Sequence, residues 1–261
     1  QCIGIIGGNS NLFKRYRRQI DYYTEQFVTA GRANSDYTFD LSKDPLSQSN
    51  LLSFAKEERI NTIFIFAGIS KPDVCAADQY NSFLVNCVNM IKLTELLLAE
   101  NKKVIFLSSD AVYEKSISAC VEDTPCSPIS SYGIQKYFVE KYFSNFDNFK
   151  VIRLSYVLTR EDFIFQRMNQ NKRVPLFTNF LRNVVVEDDV YEVLDVYSKE
   201  FSSLPKVLNL VGPDLLSKFD IGKFYAHEKT YVLPIPELAP TVFFKNRERK
   251  IETKSVYLCE I

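Results

Sequence analysis

One histidine, eight glycines and no net charge in 261 residues are the shortages from which the chain is best read. The lone histidine, His227, stands in no cluster of ligand residues, and no Cys-x-x-Cys spacing occurs. No metal site is expected from such a sequence. The 32 basic residues balance 32 acidic ones, which leaves no electrostatic footprint for nucleic acid or an anionic membrane surface. No apolar run is long enough to span a bilayer; the runs 63–67 and 104–107 are far too short. The chain opens on a strand-like Cys2-Ile3-Gly4-Ile5-Ile6 without a basic, then apolar, export signal. The six cysteines are accordingly expected as free thiols in a cytoplasmic protein. With 46% hydrophobic residues, disorder is excluded and a sizeable core is possible. Glycine is present at about half its usual ~7% share, so each place it occupies carries information.

Short β-rich runs alternate with longer amphipathic ones. Strands are predicted at 2–6, 26–30, 37–39, 62–67, 103–108, 150–154 and 207–210. Helices are predicted at 12–24, 46–58, 76–100, 131–146, 163–171, 187–201 and 215–225. Ile63-Phe64-Ile65-Phe66 and Val104-Ile105-Phe106-Leu107 are continuous apolar runs, the pattern of strands covered on both faces of a parallel sheet. Alternation of this kind gives an α/β fold with a doubly wound parallel sheet. After Leu154 prolines 175, 205, 213, 234, 236 and 240 break up the rhythm. That third is expected to form a smaller mixed lobe over the strand ends, with 232–240 as an extended loop. Ligands of open α/β sheets bind outside the carboxyl ends of the strands, so the lobe would complete the pocket.

The first strand runs into Gly7-Gly8-Asn9-Ser10-Asn11-Leu12-Phe13. A dinucleotide-binding turn has three spaced glycines, for a tight turn, close approach to the pyrophosphate and close helix packing. Gly7 fits the first place; Ser10 and Phe13 hold the other two, so an ordinary strand–helix turn is the competing reading. Backbone N–H groups at the helix start favour an anion in either case, and Ser10 adds a hydroxyl. Phe13 is expected to push the helix outward and weaken dinucleotide binding. The second strand ends in Ala30-Gly31-Arg32, with no acidic residue to take a ribose 2′-hydroxyl. Arg32 suits the 2′-phosphate of NADP, unless it is a solvated surface charge. Asp40, after the third strand, is either an acceptor for an adenine amino group or a turn residue.

Tyr-x-x-x-Lys occurs three times, as Tyr132/Lys136, Tyr137/Lys141 and Tyr225/Lys229, each pair on one helix face. Only the first opens its helix behind a proline-marked entry and follows a serine, Ser109, at the end of a core strand. A ketone that accepts hydride needs a proton donor. Tyr132 is that acid, its pKa expected to be lowered by the Lys136 ammonium, and Ser109 polarises the carbonyl.

These residues are similar to the extended short-chain dehydrogenase/reductase family of nucleotide-sugar enzymes, and most of all to its dTDP-4-dehydrorhamnose reductases. The likeness covers nearly the whole chain. It is carried by Gly7-Gly8-Asn9-Ser10-Asn11-Leu12, Ala67-Gly68, Asn86, Ser109-Asp110-Ala111-Val112-Tyr113, Tyr132-Gly133-Ile134-Gln135-Lys136, Val151-Ile152-Arg153 and Arg182 to Asp189. The resemblance implies a Rossmann domain at 1–155, completed by about 184–211, with 156–183 and 212–261 forming the substrate lobe. It implies Ser109, Tyr132 and Lys136 as catalytic residues, Lys136 also holding the nicotinamide ribose. Gly7, Asn9, Ser10, Asn11, Leu12, Arg32, Asp40, Leu41, Ala67 and Gly68 would bind NADPH in preference to NAD. Asp110, Tyr113 and Arg182 would face a nucleotide sugar, Arg182 gripping its pyrophosphate, with Arg167, Lys172, Arg173, Lys245, Arg247 and Arg249 as further basic candidates. Asn86 is a minor catalytic candidate and more often a structural helix residue.

Where dehydratases of this family carry a pair of acids, this chain has Asp110-Ala111, which argues against their elimination chemistry. The expected activity is NADPH-dependent reduction of a 4-keto-6-deoxysugar nucleotide. The alternatives are an epimerase with bound NAD and a non-enzymatic dinucleotide sensor. Apolar residues over much of the helices 76–100 and 131–146, among them Phe83, Val85, Val88, Ile91, Leu98, Ile134, Phe138, Tyr142 and Phe143, call for cover on a second side. The C-terminal lobe could supply that cover; in the resembling family it is a symmetry mate, so a homodimer is expected.

Overall fold

The computed structural model describes residues 2–20, 26–114, 120–159, 162, 164, 166, 174–178, 180–225, 232–235 and 247–249. Its centre is a seven-stranded parallel sheet. The strands are β1 (Cys2–Ile6), β2 (Gln26–Gly31), β3 (Tyr37–Thr38), β4 (Ile60–Ile65), β5 (Lys103–Ser109), β6 (Phe149–Leu154) and β10 (Val207–Leu210), in the order β3-β2-β1-β4-β5-β6-β10. Chain order reverses between β1 and β4, and that switch point opens a crevice at the strand ends.

The apolar runs explain why both faces are covered. On β5, Val104 and Phe106 enter one buried cluster, which Met90, Leu93, Leu97, Val139 and Phe143 complete. Ile105 and Leu107 enter the other, with Phe13, Tyr16, Val190, Leu194 and Tyr197. The helices over these faces are α1 (Asn11–Ile20), α2 (Ser49–Ala55), α3 (Pro72–Ala77), α4 (Gln79–Ala99), α5 (Ser131–Tyr142) and α6 (Glu187–Lys199). By length and composition α4 could cross a membrane; here Met90, Leu93 and Leu97 bury its inner face against the sheet.

Several predicted elements change on folding. The helix expected at 76–100 is divided at Asp78, whose carboxylate accepts from Asn81 N at 3.1 Å and starts a new helix. It then passes through a π-helical stretch at Leu84–Asn89. The helix expected at 46–58 is a 3-10 turn, Pro45–Ser47, followed by α2. Leu215–Ser217 is not helical but a strand, β11, antiparallel to β9 (Phe180–Val186). The helix α7 (Lys218–Tyr225) begins after it, because Ser217 accepts from Asp220 N at 3.0 Å and caps the turn. Strand β9 also pairs with β7 (Tyr156–Leu158) and β13 (Arg247–Arg249). Val232–Ile235, expected as loop, is strand β12 beside β8 (Val174–Phe177). Of these strands β7, β11 and β13 have three residues each, and β8 and β12 each carry a proline, so none of the five shows a period. Residues 236–240, and most of the helix expected at 163–171, lie outside the described residues. The five described cysteines are free thiols.

Candidate active site

Ser109 ends β5 and caps the 3-10 turn Asp110–Tyr113, accepting from Ala111 N at 3.2 Å. Its hydroxyl donates to Asp110 Oδ1 at 3.2 Å. The turn is tied to the start of α5 through Glu114, whose carboxylate accepts from Ile129 N at 2.9 Å and Ser130 N at 2.5 Å. Ser130 in turn caps α5, accepting from Gly133 N at 3.1 Å. Gly133 sets how closely helix and turn approach: a Cβ there would meet the Ala111 carbonyl oxygen at 2.5 Å. That contact brings half-buried Tyr132 beside Ser109, close enough for the serine hydroxyl to act on the phenol.

The charge balance at Tyr132 differs from the expectation. Burial, and then the carboxylate of Asp110, push the phenol above its ordinary range; Ser109 and Arg182 oppose the shift without reversing it. Lys136 does not lower it, because its ammonium is turned to the β5 backbone. It donates to the Leu107 carbonyl at 2.8 Å and lies 4.4 Å from the Phe106 ring centre, against 5.8 Å from that of Tyr132. Lys136 is buried, which lowers its own pKa to about 8 against the opposing charge of Glu140. The pair thus presents a neutral phenol, the form that gives up a proton.

A cleft of about 290 Å³ opens at the switch point, lined by Gly7, Asn9, Ser10, Arg32, Asp40, Leu41, Ala67 and Gly68 among others; Ser109 and Tyr132 are not in its lining. Gly7 has φ +95° and touches the strand opposite: a Cβ there would lie 2.7 Å from Ala67 N. Ser10 caps α1, accepting from Phe13 N at 3.1 Å, so its hydroxyl proton is left for an anion at the helix start. Asn9 donates to the Ala33 carbonyl at 2.5 Å. Asp40 serves its turn, accepting from Ser42 N at 3.0 Å. That bond, with help from the Arg32 charge, holds its carboxyl below the usual range. Phe13 is wholly buried against Phe27 and Phe66, filling the space between α1 and the sheet.

Asn11 is exposed, while half-buried Leu12 packs against the second core cluster; neither lines the cleft, nor does Lys136. Sequence reasoning missed Phe39, Phe66, Ile69 and Val85, which form the apolar walls. A position at a strand end was the only available signal for the first two. With N–H groups at a helix start, an arginine, an acceptor at Asp40 and apolar walls, the donor set fits a dinucleotide.

On the substrate side two residues are not where the motif put them. Tyr113 is wholly buried, its hydroxyl donating to Asn209 Oδ1 and the Val121 carbonyl, each at 3.1 Å, and accepting from Arg153. It does not reach the cleft, because the 3-10 turn points it into the protein. Arg182, on β9, forms an ion pair with buried Asp110, so two of the three residues expected to face the substrate face each other. Asn86 is structural: it accepts from Ile69 N at 2.8 Å and donates to the Ile69 carbonyl at 3.0 Å and to Gln135 at 2.8 Å. It thereby pins the loop that follows Gly68. His227, Arg167, Lys172, Arg173 and Lys245 lie outside the described residues, and of Arg247 and Arg249 only the backbone is described.

The sequence model of the NAD dependent epimerase/dehydratase family matches residues 14–185. No curated protein matches the chain in sequence. Among solved structures, the UDP-glucose 4-epimerase of Thermus thermophilus, in complex with NAD, is similar at TM-score 0.82 and 17% identity, over 96% of this chain and 90% of that one. The dTDP-4-dehydrorhamnose reductase of Bacillus anthracis str. Ames, in complex with NADP, is similar at 0.78 and 16%, over 96% and 88%. A hypothetical dTDP-4-dehydrorhamnose reductase from Sulfolobus tokodaii gives 0.79 and 15%, over 96% and 92%. At such identities the likeness is one of fold.

Proposed function

The chain belongs to the NAD dependent epimerase/dehydratase family, and from that premise we propose that it is an NADPH-dependent reductase of a nucleotide-activated 4-keto-6-deoxysugar. The observation that carries this is a neutral Tyr132 placed against Ser109 at the end of β5, in a fold whose switch-point cleft is lined by Arg32. When bound, NADPH supplies the hydride. The first turn of α1 and Ser10 would hold its phosphates, Arg32 its 2′-phosphate, Asp40 its adenine, and Lys136 its nicotinamide ribose. Ser109 orients the keto oxygen by a hydrogen bond, and Tyr132 gives that oxygen the proton that completes the alcohol. Arg182 turns from Asp110 to the pyrophosphate of the substrate.

Residues 1–155 with 184–211 serve as the dinucleotide domain and the remainder as the substrate lobe, in a cytoplasmic homodimer. The dimer has support in Phe83, Val88, Ile134, Phe138 and Tyr142, which are exposed on α4 and α5. Phe143, counted with them in the sequence, is core. NADPH oxidation in the presence of a 4-keto-6-deoxy nucleotide sugar tests the activity. The family's epimerases give the second reading, in which NAD stays bound. A nicotinamide absorbance that co-purifies with the protein, together with no net oxidation of NADPH, would decide for it.

A further inference from the structure

Behind Lys136 lies a buried polar chain for which the reaction above has no use. Glu140 follows Lys136 by one helical turn, so both side chains leave the same face of α5. They meet consecutive residues of β5: Lys136 donates to the Leu107 carbonyl at 2.8 Å, and the Ser108 hydroxyl donates to Glu140 Oε1. Arg153, on β6, holds the other carboxylate oxygen, with Nη2 at 2.7 Å and Nε at 3.1 Å from Glu140 Oε2. Its remaining nitrogen donates to the Tyr113 hydroxyl and, at 3.3 Å, to the Glu122 carbonyl. Both members of the ion pair are buried, at 6% and 5% exposure. As a source of stability a buried ion pair is poor, since desolvation offsets the attraction; this one stands one helical turn from the lysine and acts on it by its charge.

Three groups bear on the Lys136 charge: Glu140 on its own helix, Cys75 of α3 and Cys87 in α4. Burial holds both thiols up, Cys87 to about 12, so at neutral pH they are uncharged. Glu140, ion-paired with Arg153, is the negative charge of the set. We propose that Glu140 is a positioning residue for Lys136, keeping its ammonium charged and its reach fixed against the end of β5, with Arg153 holding the carboxylate in place. The proposal rests on Lys136 being a working residue of the site, and its decisive measurement needs no substrate.

Glu140→Gln keeps the shape and removes the charge. The Nζ resonance of Lys136, followed by NMR in lysine-labelled protein and assigned with Lys136→Arg, should titrate at least about one pH unit lower than in the parent. The alkaline limb of the NADPH-oxidation profile should move by the same amount. Glu140→Asp draws the charge back by one methylene, so it should lower the midpoint less, and it keeps the test open if Glu140→Gln does not fold. A midpoint that stays in place in either folded variant overturns the proposal, whatever happens to the rate, because a merely structural role lowers the rate equally at every pH. A parent without reductase activity whose Lys136 midpoint still follows Glu140 would refute the function assigned above and leave this inference standing.

Discussion

The parallel sheet and the smaller sheet beside it hold their polar groups in opposite ways. Under the end of β5 the chain Ser108–Glu140–Arg153–Tyr113–Asn209 is closed and buried, each member fixed by the next across α5, β6 and β10. On β9, Arg182 reaches the site through the carboxylate of Asp110, and among the described residues the apolar cluster behind it buries Ile164, Leu176, Val184 and Ile221, with Tyr156, Leu158, Leu216 and Phe219 half-buried against them. The two main clusters hold the other elements over both faces of the large sheet. Preorganised groups are worth most where a proton moves, whereas a group that must exchange partners on binding needs a support that lets it go. On the function proposed above, the rigid side would carry the chemistry and the lobe the recognition.

The largest effect expected on the rigid side is at Tyr132. Tyr132→Phe removes the proton donor and leaves the ring, so turnover should fall by about 10²–10⁴-fold, the usual share of general acid catalysis. Circular dichroism and NADPH affinity should stay as in the parent. Near-normal turnover in this variant would take the mechanism away from the sheet altogether.

Stability gives the second contrast. Arg153→Met leaves the carboxylate of Glu140 buried without its partner, a loss of about 3–5 kcal/mol. In the lobe, Lys223→Ala breaks an exposed pair with Asp220 at 3.2 Å and should cost about 0–1 kcal/mol. Urea unfolding of both variants checks the pair. Equal losses would mean that the two regions are supported alike.

The same contrast decides what could be read in advance. The core strands were legible because burial on both faces writes an unbroken apolar run into β4 and β5. That Ser109 and Tyr132 would come together was legible because a strand end and a helix start meet there, whereas Lys136, one turn further on, points to the β5 backbone and not to the phenol as its spacing suggested. Tyr113 was misread, since its residue type does not say which side of a 3-10 turn it leaves. The partnership of Glu140 with Arg153 was invisible because it joins two elements through space and follows no spacing rule. In the lobe, β7, β11 and β13 have three residues each, fewer than a period needs. Arg182 was found as a basic residue ahead of an apolar run, but its partner Asp110 is a contact of the fold.

A smaller effect is expected at the rim of the cleft, where Arg32 is exposed. NADPH should bind more tightly than NADH, and Arg32→Ala should narrow the difference by about 1.5–3 kcal/mol, the range of a charge-assisted hydrogen bond. Fluorescence titration with both cofactors measures it. Equal affinities in the parent would remove Arg32 from the site.

The smallest effect belongs to Arg182, and it tests whether the lobe recognises the substrate or acts on the chemistry. Its guanidinium and the Asp110 carboxylate act on Tyr132 with opposite sign: Asp110 pushes the phenol up and Arg182 draws it down. Asp110 is 1% exposed, and a carboxylate buried without a counter-charge favours its protonated form. Both charges then vanish together, and the field at the phenol changes little. Arg182→Ala should accordingly raise KM for the nucleotide sugar at least about tenfold, or 1.4 kcal/mol, while kcat stays near the parent value. Adding Asp110→Asn to Arg182→Ala should leave both constants where the single variant put them. A kcat that falls with Arg182→Ala and recovers in the double variant would show that an ionised Asp110 had been left beside Tyr132. Arg182 would then belong to the chemistry of the rigid side, and the anion of the substrate would have to be held elsewhere in the lobe.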